Sequence, residues 1–131
     1  MIFVDTGAWF ASAVPADVNH EAASKWLDAN TQPLLTTDYI IDETLTLLKA
    51  RGYGSLAIEL GDGFFSGKLA HVVLISESDL KEAWSTFRQF RDKEWSFTDC
   101  ASKAVMERLA ITQAFSFDHH FRQFGPVAVV P

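Results

Sequence analysis

Short apolar runs alternate with longer amphipathic stretches along this chain, and that alternation constrains the fold more than any other feature. The runs are Ile2–Val4, Leu34–Thr37, His71–Ile75, Gln113–Phe117 and a last short one, Val127–Val130. Runs this short read as strands, and the stretches between them, with apolar residues recurring every three or four positions, read as crossover helices. The expected class is therefore α/β, a compact doubly wound sheet of about five mostly parallel strands. With 131 residues, 48% of them hydrophobic, the chain is expected to form one domain over residues 1–131 with a real core.

The helices carry their own signals. Asp17 is expected to cap a helix whose face is Ala22, Trp26 and Ala29, ended by Pro33. From Asp38 to about Lys49, Ile41, Leu45 and Leu48 share one face. Gly52 and Gly54 end that helix, and the stretch holding Leu56, Ile58, Leu60, Phe64 and Phe65 is weaker and open to a break at its interior glycines. Ser76 and Asp79 have capping-box spacing before Leu80, Trp84, Phe87 and Phe90, and a further helix is expected from about Phe97 to Leu109.

Seventeen acidic against eleven basic residues give a formal charge of -6, so no global positive field draws the chain to a polyanion. One cysteine, Cys100, excludes an internal disulfide and a cysteine-based zinc site, and is expected to be a small core residue. No basic leader or bilayer-length apolar run is present, so a cytoplasmic protein without membrane attachment is expected.

Chemistry enters through the carboxylates. Asp5 follows the first strand and Asp118 the fourth, and in parallel α/β folds the carboxyl ends of strands line the ligand crevice. Asp99 opens a helix, and Glu43 lies off the core face of its helix, with Asp42 as its rival. Such a cluster repels itself unless cations neutralise it, and Mg²⁺ or Mn²⁺ prefers these oxygen ligands. Two ions about 3.5 to 4 Å apart activate a water and stabilise both oxygens of an in-line phosphodiester displacement. Taken singly, each residue has a simpler role: Asp5 as a helix cap, Asp99 with Ser96 as a capping box, Asp118 as a turn residue and Glu43 as a solvated helix charge. Only the four together point to hydrolysis.

The ordered segments Ile2-Phe3-Val4-Asp5-Thr6, Asp42-Glu43-Thr44-Leu45, Ser96-Phe97-Thr98-Asp99-Cys100 and Ala114-Phe115-Ser116-Phe117-Asp118 resemble those of a PIN domain, with VapC-type toxin ribonucleases the best match. The resemblance covers essentially the whole chain, on to Phe121 and Gly125. It implies a three-layer α/β/α nuclease fold, Mg²⁺ or Mn²⁺ held by acidic residues, and metal-dependent endoribonuclease activity. Its acidic positions fall on Asp5, Glu43, Asp99 and Asp118: Asp5 and Asp99 as principal metal ligands, Glu43 aiding the metal or the water, and Asp118 serving a second ion. Thr6 and Thr98 stand beside them as supporting polar groups. It further implies the toxin of a type II toxin–antitoxin pair, a homodimer, and a VapB-like antitoxin segment that covers the groove.

For an RNA substrate, Arg88, Arg91 and Lys93 are the contact candidates, with Lys103 and Arg108 completing an expected basic rim, although a solvated helix face is the simpler role for each. His20, His71, His119 and His120 lack paired zinc spacing and are expected to be surface or packing residues. The four Trp and eleven Phe are expected to be core residues, but so many large apolar side chains on 131 residues are also expected to leave some exposed as a partner surface. The competing readings are an RNA-processing or DNA nuclease on the same fold, and a non-catalytic binding module whose acids serve only as caps.

Overall fold

The computed structural model describes residues 1–131. In chain order the elements are β1 (Ile2–Val4), α1 (Thr6–Ala13), α2 (His20–Ala29), β2 (Leu34–Thr37), α3 (Asp38–Ala50), α4 (Gly54–Phe65), β3 (His71–Val73), α5 (Glu77–Gln89), α6 (Phe97–Arg108), β4 (Gln113–Phe115), a 3₁₀ turn (His119–Gln123) and β5 (Ala128–Val130). The five strands form one sheet in the order β3-β2-β1-β4-β5, every pair parallel. Moving from β1 to β2 to β3 the chain steps one way; from β3 to β4 it crosses back over β2 and β1. Right-handed crossovers therefore place α1–α4 on one face and α5–α6 on the other, which is the expected three-layer arrangement. Trp26 of α2 packs on Phe115 with ring centroids 4.3 Å apart, whereas Phe3 meets Phe121 from the opposite face.

The strand order reverses at β1, whose neighbours are β2 and β4. Beyond the carboxyl ends of β1 and β4 no third strand fills the gap between diverging crossovers, so a crevice opens there. Ile2, Phe3, Val4, Leu35, Ala114 and Phe115, which flank it, are buried, and the crevice has a rigid floor.

Several expectations need correcting. α2 begins at His20 behind Asn19, whose side chain makes no cap bond; the Asp17 carboxylate instead accepts the Asn19 N–H at 2.9 Å. The inward face is accordingly Ala23, Trp26 and Leu27, with Ala22 and Ala29 exposed. α4 is unbroken, and of its glycines Gly63 serves a close approach: a Cβ there would lie 2.5 Å from Leu69 Cδ1. β3 and β4 stop two residues early, since Ile75 N–H goes to the Asp38 carboxylate and Asp118 N–H to the Ser116 hydroxyl instead of to a strand ladder.

The largest difference lies on α5. The stripe Leu80, Trp84 and Phe87, expected in the core, stays 36%, 54% and 40% exposed, while Asp79, Ala83 and Thr86 face inward against α6. Asp79 closes the expected capping box with Ser76 and also accepts two 2.8 Å bonds from Arg108 Nε and Nη2 on α6. Those bonds hold its carboxyl down at about 2. Because that value is depressed, the pair's stabilisation is complete above the unfolded carboxylate range and is lost as pH falls through about 2. Asp79→Asn is expected to lower stability at neutral pH by about 2 kcal/mol, measured by urea unfolding, with half-exposed Arg108 limiting the loss.

Candidate active site

Each of the four carboxylates comes from a different element. Asp5 is the residue after β1 and caps α1, with Oδ1 accepting the Thr6 N–H at 2.8 Å. Its other oxygen, Oδ2, accepts the Ser116 hydroxyl at 3.0 Å, and its N–H donates to Phe115 O, so the ends of β1 and β4 are tied through one residue. Asp99 is the third residue of α6, where its Oδ2 accepts the Ser96 N–H in a complete capping box. Asp118 follows β4 and caps the 3₁₀ turn, accepting the His120 N–H at 2.9 Å. Glu43 reaches in from α3 and accepts the Thr6 hydroxyl at 2.5 Å. Capping does not remove these side chains from the crevice: a cap uses one or two lone pairs of a carboxylate and leaves the rest facing it.

All four line one open pocket of about 580 Å³, together with Thr6, Ser96, Glu94, Phe117, His119 and His120. No lysine or arginine lines it. The structure also separates Glu43 from its rival: Asp42 faces a neighbouring hollow with Tyr39, Thr46 and Thr98. Thr98 therefore lies beside the pocket rather than in it, whereas Thr6 is inside. The expected basic rim is absent. Arg108 is engaged by Asp79, Lys103 by Glu107 and Lys93 by Asp92, and Arg88 and Arg91 open onto a different hollow on α5.

Two site residues escape the sequence reading. Ser116, buried, holds Asp5 in place. His120, read as surface or packing, is half-buried with Nδ1 3.1 Å from Asp99 Oδ2 and 3.4 Å from Asp118 Oδ1. Carboxylates only accept, so a hydrogen bond there requires the proton on Nδ1. Adjacent His119 is mostly exposed at the rim, and one ligand atom each from Asp118, His119 and His120 lies within 4.8 Å of the others. The signal for His120 was its place two residues after a strand-end aspartate, within one tight turn. Cys100 is buried, which pushes its thiol up to about 11 and makes it unreactive, as expected of a core residue.

Burial is the main influence on Asp5. Together with the negative fields of Asp99 and Asp118, it outweighs the bonds from Ser116 and Thr6 and raises the Asp5 carboxyl to about 7. A charged carboxylate in this position calls for a cation, and the donor set, four carboxylates in an open pocket without a basic side chain, fits a hard divalent ion. The raised value has a definite sign in the metal-free chain. Between about pH 4, the usual carboxylate value, and pH 7 the folded form keeps a proton that the unfolded form has released. Stability is therefore expected to fall by on the order of 4 kcal/mol as pH rises through this window, then to level off. Urea titrations in chelator at several pH values measure this, and Asp5→Asn is expected to flatten the profile.

Comparison with known proteins agrees with this geometry. Residues 2–125 match the PIN domain family. The "23S rRNA-specific endonuclease VapC20" of Mycobacterium tuberculosis is 33% identical over 134 residues, covering 100% of this chain and 99% of its own. The "VapC ribonuclease" of Archaeoglobus fulgidus is 30% identical over 90% of this chain and 77% of its own. Among solved structures, M. tuberculosis VapC20, described as a sarcin-ricin loop cleaving toxin, superposes with a TM-score of 0.92 at 28% identity over the whole of both chains. FitAcB from Neisseria gonorrhoeae, 16% identical over 100% of this chain and 97% of its own, shares the fold with a TM-score of 0.73. With the family matched across nearly its whole length, the chain belongs to the PIN domain family, in its VapC-type branch.

Proposed function

We propose that this chain is a divalent-metal-dependent endoribonuclease that hydrolyses RNA phosphodiester bonds at the Asp5, Glu43, Asp99 and Asp118 pocket, as the toxin of a type II toxin–antitoxin pair. The observation that carries the reading is the convergence of carboxylates from four elements on one crevice with no lysine or arginine among them. Mg²⁺ or Mn²⁺, when bound, supplies an activated water and neutralises charge on the phosphate.

The chain's own residues do the rest. Asp5 and Asp99 present oxygens held by the Ser116 hydroxyl and by the Thr6 and Ser96 N–H groups, so the ligand positions need little rearrangement. Glu43, oriented by the Thr6 hydroxyl at one oxygen, keeps the other to take the proton of the attacking water. Asp118 supplies a carboxylate at the far rim, and His120 Nδ1–H spans it and Asp99, fixing their separation. His120 is thus a positioning residue. Thr98, next to the pocket, supports from the side of the neighbouring hollow.

The proposal includes one nuclease domain over residues 1–131, a cytoplasmic setting, a VapB-like antitoxin and a homodimer. It is supported by the VapC relatives, and no helix is long and apolar enough to cross a membrane. Sarcin-ricin loop RNA, described as the target of the Mycobacterium structure, is the first substrate to try. The non-catalytic alternative draws support from the capping roles of Asp5, Asp99 and Asp118, and one experiment separates the two.

Wild type and Asp99→Asn are incubated with RNA in Mg²⁺, in Mn²⁺ and in chelator. Cutting that needs metal and disappears in Asp99→Asn, while stability changes by no more than a cap's value of about 1 kcal/mol, is the expected result. Absence of cutting by folded, inhibitor-free wild type would sink the reading. His120→Ala is expected to raise the metal concentration for half-maximal cleavage about 10- to 100-fold with little change in melting temperature.

A further inference from the structure

The carboxylate pocket has no cationic side chain of the lysine or arginine type, yet the chain does concentrate such groups elsewhere. On the outer face of α5, Lys81, Trp84, Ser85, Arg88 and Gln89, with Arg91 just beyond the helix, line an open hollow of about 520 Å³. No acidic residue lines it. Arg88 and Arg91 form no ion pair, unlike Lys93, Lys103 and Arg108; Lys81 has only a solvent-exposed pairing with Glu77 at 3.4 Å. On a protein of charge -6, unpaired guanidinium groups gathered in one place mark a local site for an anion.

The same face carries two exposed aromatic rings, Trp84 and Phe87, and two partly buried ones, Phe97 and Tyr39, lead on from them. Trp84 and Phe87 stack at 20° with centroids 5.9 Å apart, Phe87 meets Phe97 at 6.0 Å, and Phe97 meets Tyr39 at 6.4 Å. Phe97 heads α6, and Tyr39 lines a hollow that shares Glu43 and Leu47 with the carboxylate pocket. An aromatic track therefore runs from the basic hollow to the edge of the acidic one. Guanidinium groups that hold phosphates, beside flat rings on which bases stack, are the two requirements for holding a single strand without reading its sequence. A second copy docked by a two-fold axis on this same face would set Lys81, Arg88 and Arg91 against their own like-charged counterparts, so charge favours a polyanion here over self-pairing of the face.

We infer that the α5 face, through Arg88, Arg91 and Trp84, is a binding surface for single-stranded RNA that feeds the strand along Phe87, Phe97 and Tyr39 toward the carboxylate pocket. The inference rests on the ribonuclease reading for its direction, and its test can fail separately from that reading. All three anchor residues are exposed, so their replacement leaves the packing intact.

The full chain, in chelator, is titrated with a fluorescein-labelled oligouridylate and followed by anisotropy over a range of NaCl. Trp84→Ala is expected to weaken binding about 5- to 150-fold, the range for one stacked base. The double variant Arg88→Ala, Arg91→Ala is expected to weaken it and to flatten the slope of log affinity against log salt by about 1.4, the value for two single-strand phosphates. With metal present, KM for RNA should rise in both variants while kcat holds. Unchanged affinity in both overturns the inference, and so does a Trp84→Ala chain that sediments as monomer where wild type is a dimer yet binds RNA as well as before. Cleavage with normal KM in the variants rejects the track and leaves the nuclease standing. RNA held by this face but never cut under any metal supports the surface and rejects the nuclease.

Discussion

A carboxylate buried at the end of a central strand is an expensive thing to keep, and the architecture around Asp5 is organised by that expense. Its two oxygens are met by a backbone N–H that begins α1 and by a hydroxyl at the end of β4, while its own N–H completes the bond to Phe115. One residue thus joins two strands and a helix. These bonds do not repay its burial, since the carboxyl is still pushed up to about 7. The shortfall is stored at the place where a cation would relieve it.

How much of this can be read from the sequence depends on the range of the interaction. Strands whose residues are buried on both faces appear as continuous apolar runs, so their number and parallel sense are legible, and the capping boxes at Ser76 and Ser96 follow from three-residue spacing. The strand ends are less so, because Asp38 claims a backbone donor that lies 37 positions away. Periodicity says that Leu80, Trp84 and Phe87 share a face; it is silent on whether that face meets the core, and here a carboxylate, Asp79, takes the inner side because Arg108 is there to receive it. The contact of His120 with Asp99 was hidden for the same reason, Asp99 lying 21 positions back on another helix, although its place just after Asp118 was legible. The convergence of Asp5, Glu43, Asp99 and Asp118 followed from the strand-end rule for two of them and from the family resemblance for all four.

The charges are sorted rather than mixed. Acidic side chains collect at the switch point of the sheet, and five of the eleven basic ones, Lys25, Lys81, Lys93, Lys103 and Arg108, have an acidic partner close by. On the outer side of α5 two unpaired guanidinium groups, Arg88 and Arg91, gather around one hollow. Separating the two signs leaves the carboxylates a shared negative field that a cation would relieve, and, under the inference drawn above, it would leave contact with RNA to a surface outside that field.

The central position of β1 has a consequence for how such a chain comes into existence. Ser116 and Asp5, whose bond closes the crevice, are 111 residues apart, and β1 needs β4 as its second neighbour. On a ribosome, where the N-terminal part emerges first, β1 can find β2 early but must wait for β4. No partial chain ending before β4 contains the assembled pocket, whatever helices it has already formed. A protein whose chemistry would be directed at RNA is thereby built in an order that leaves its cutting centre until almost all of it has been translated.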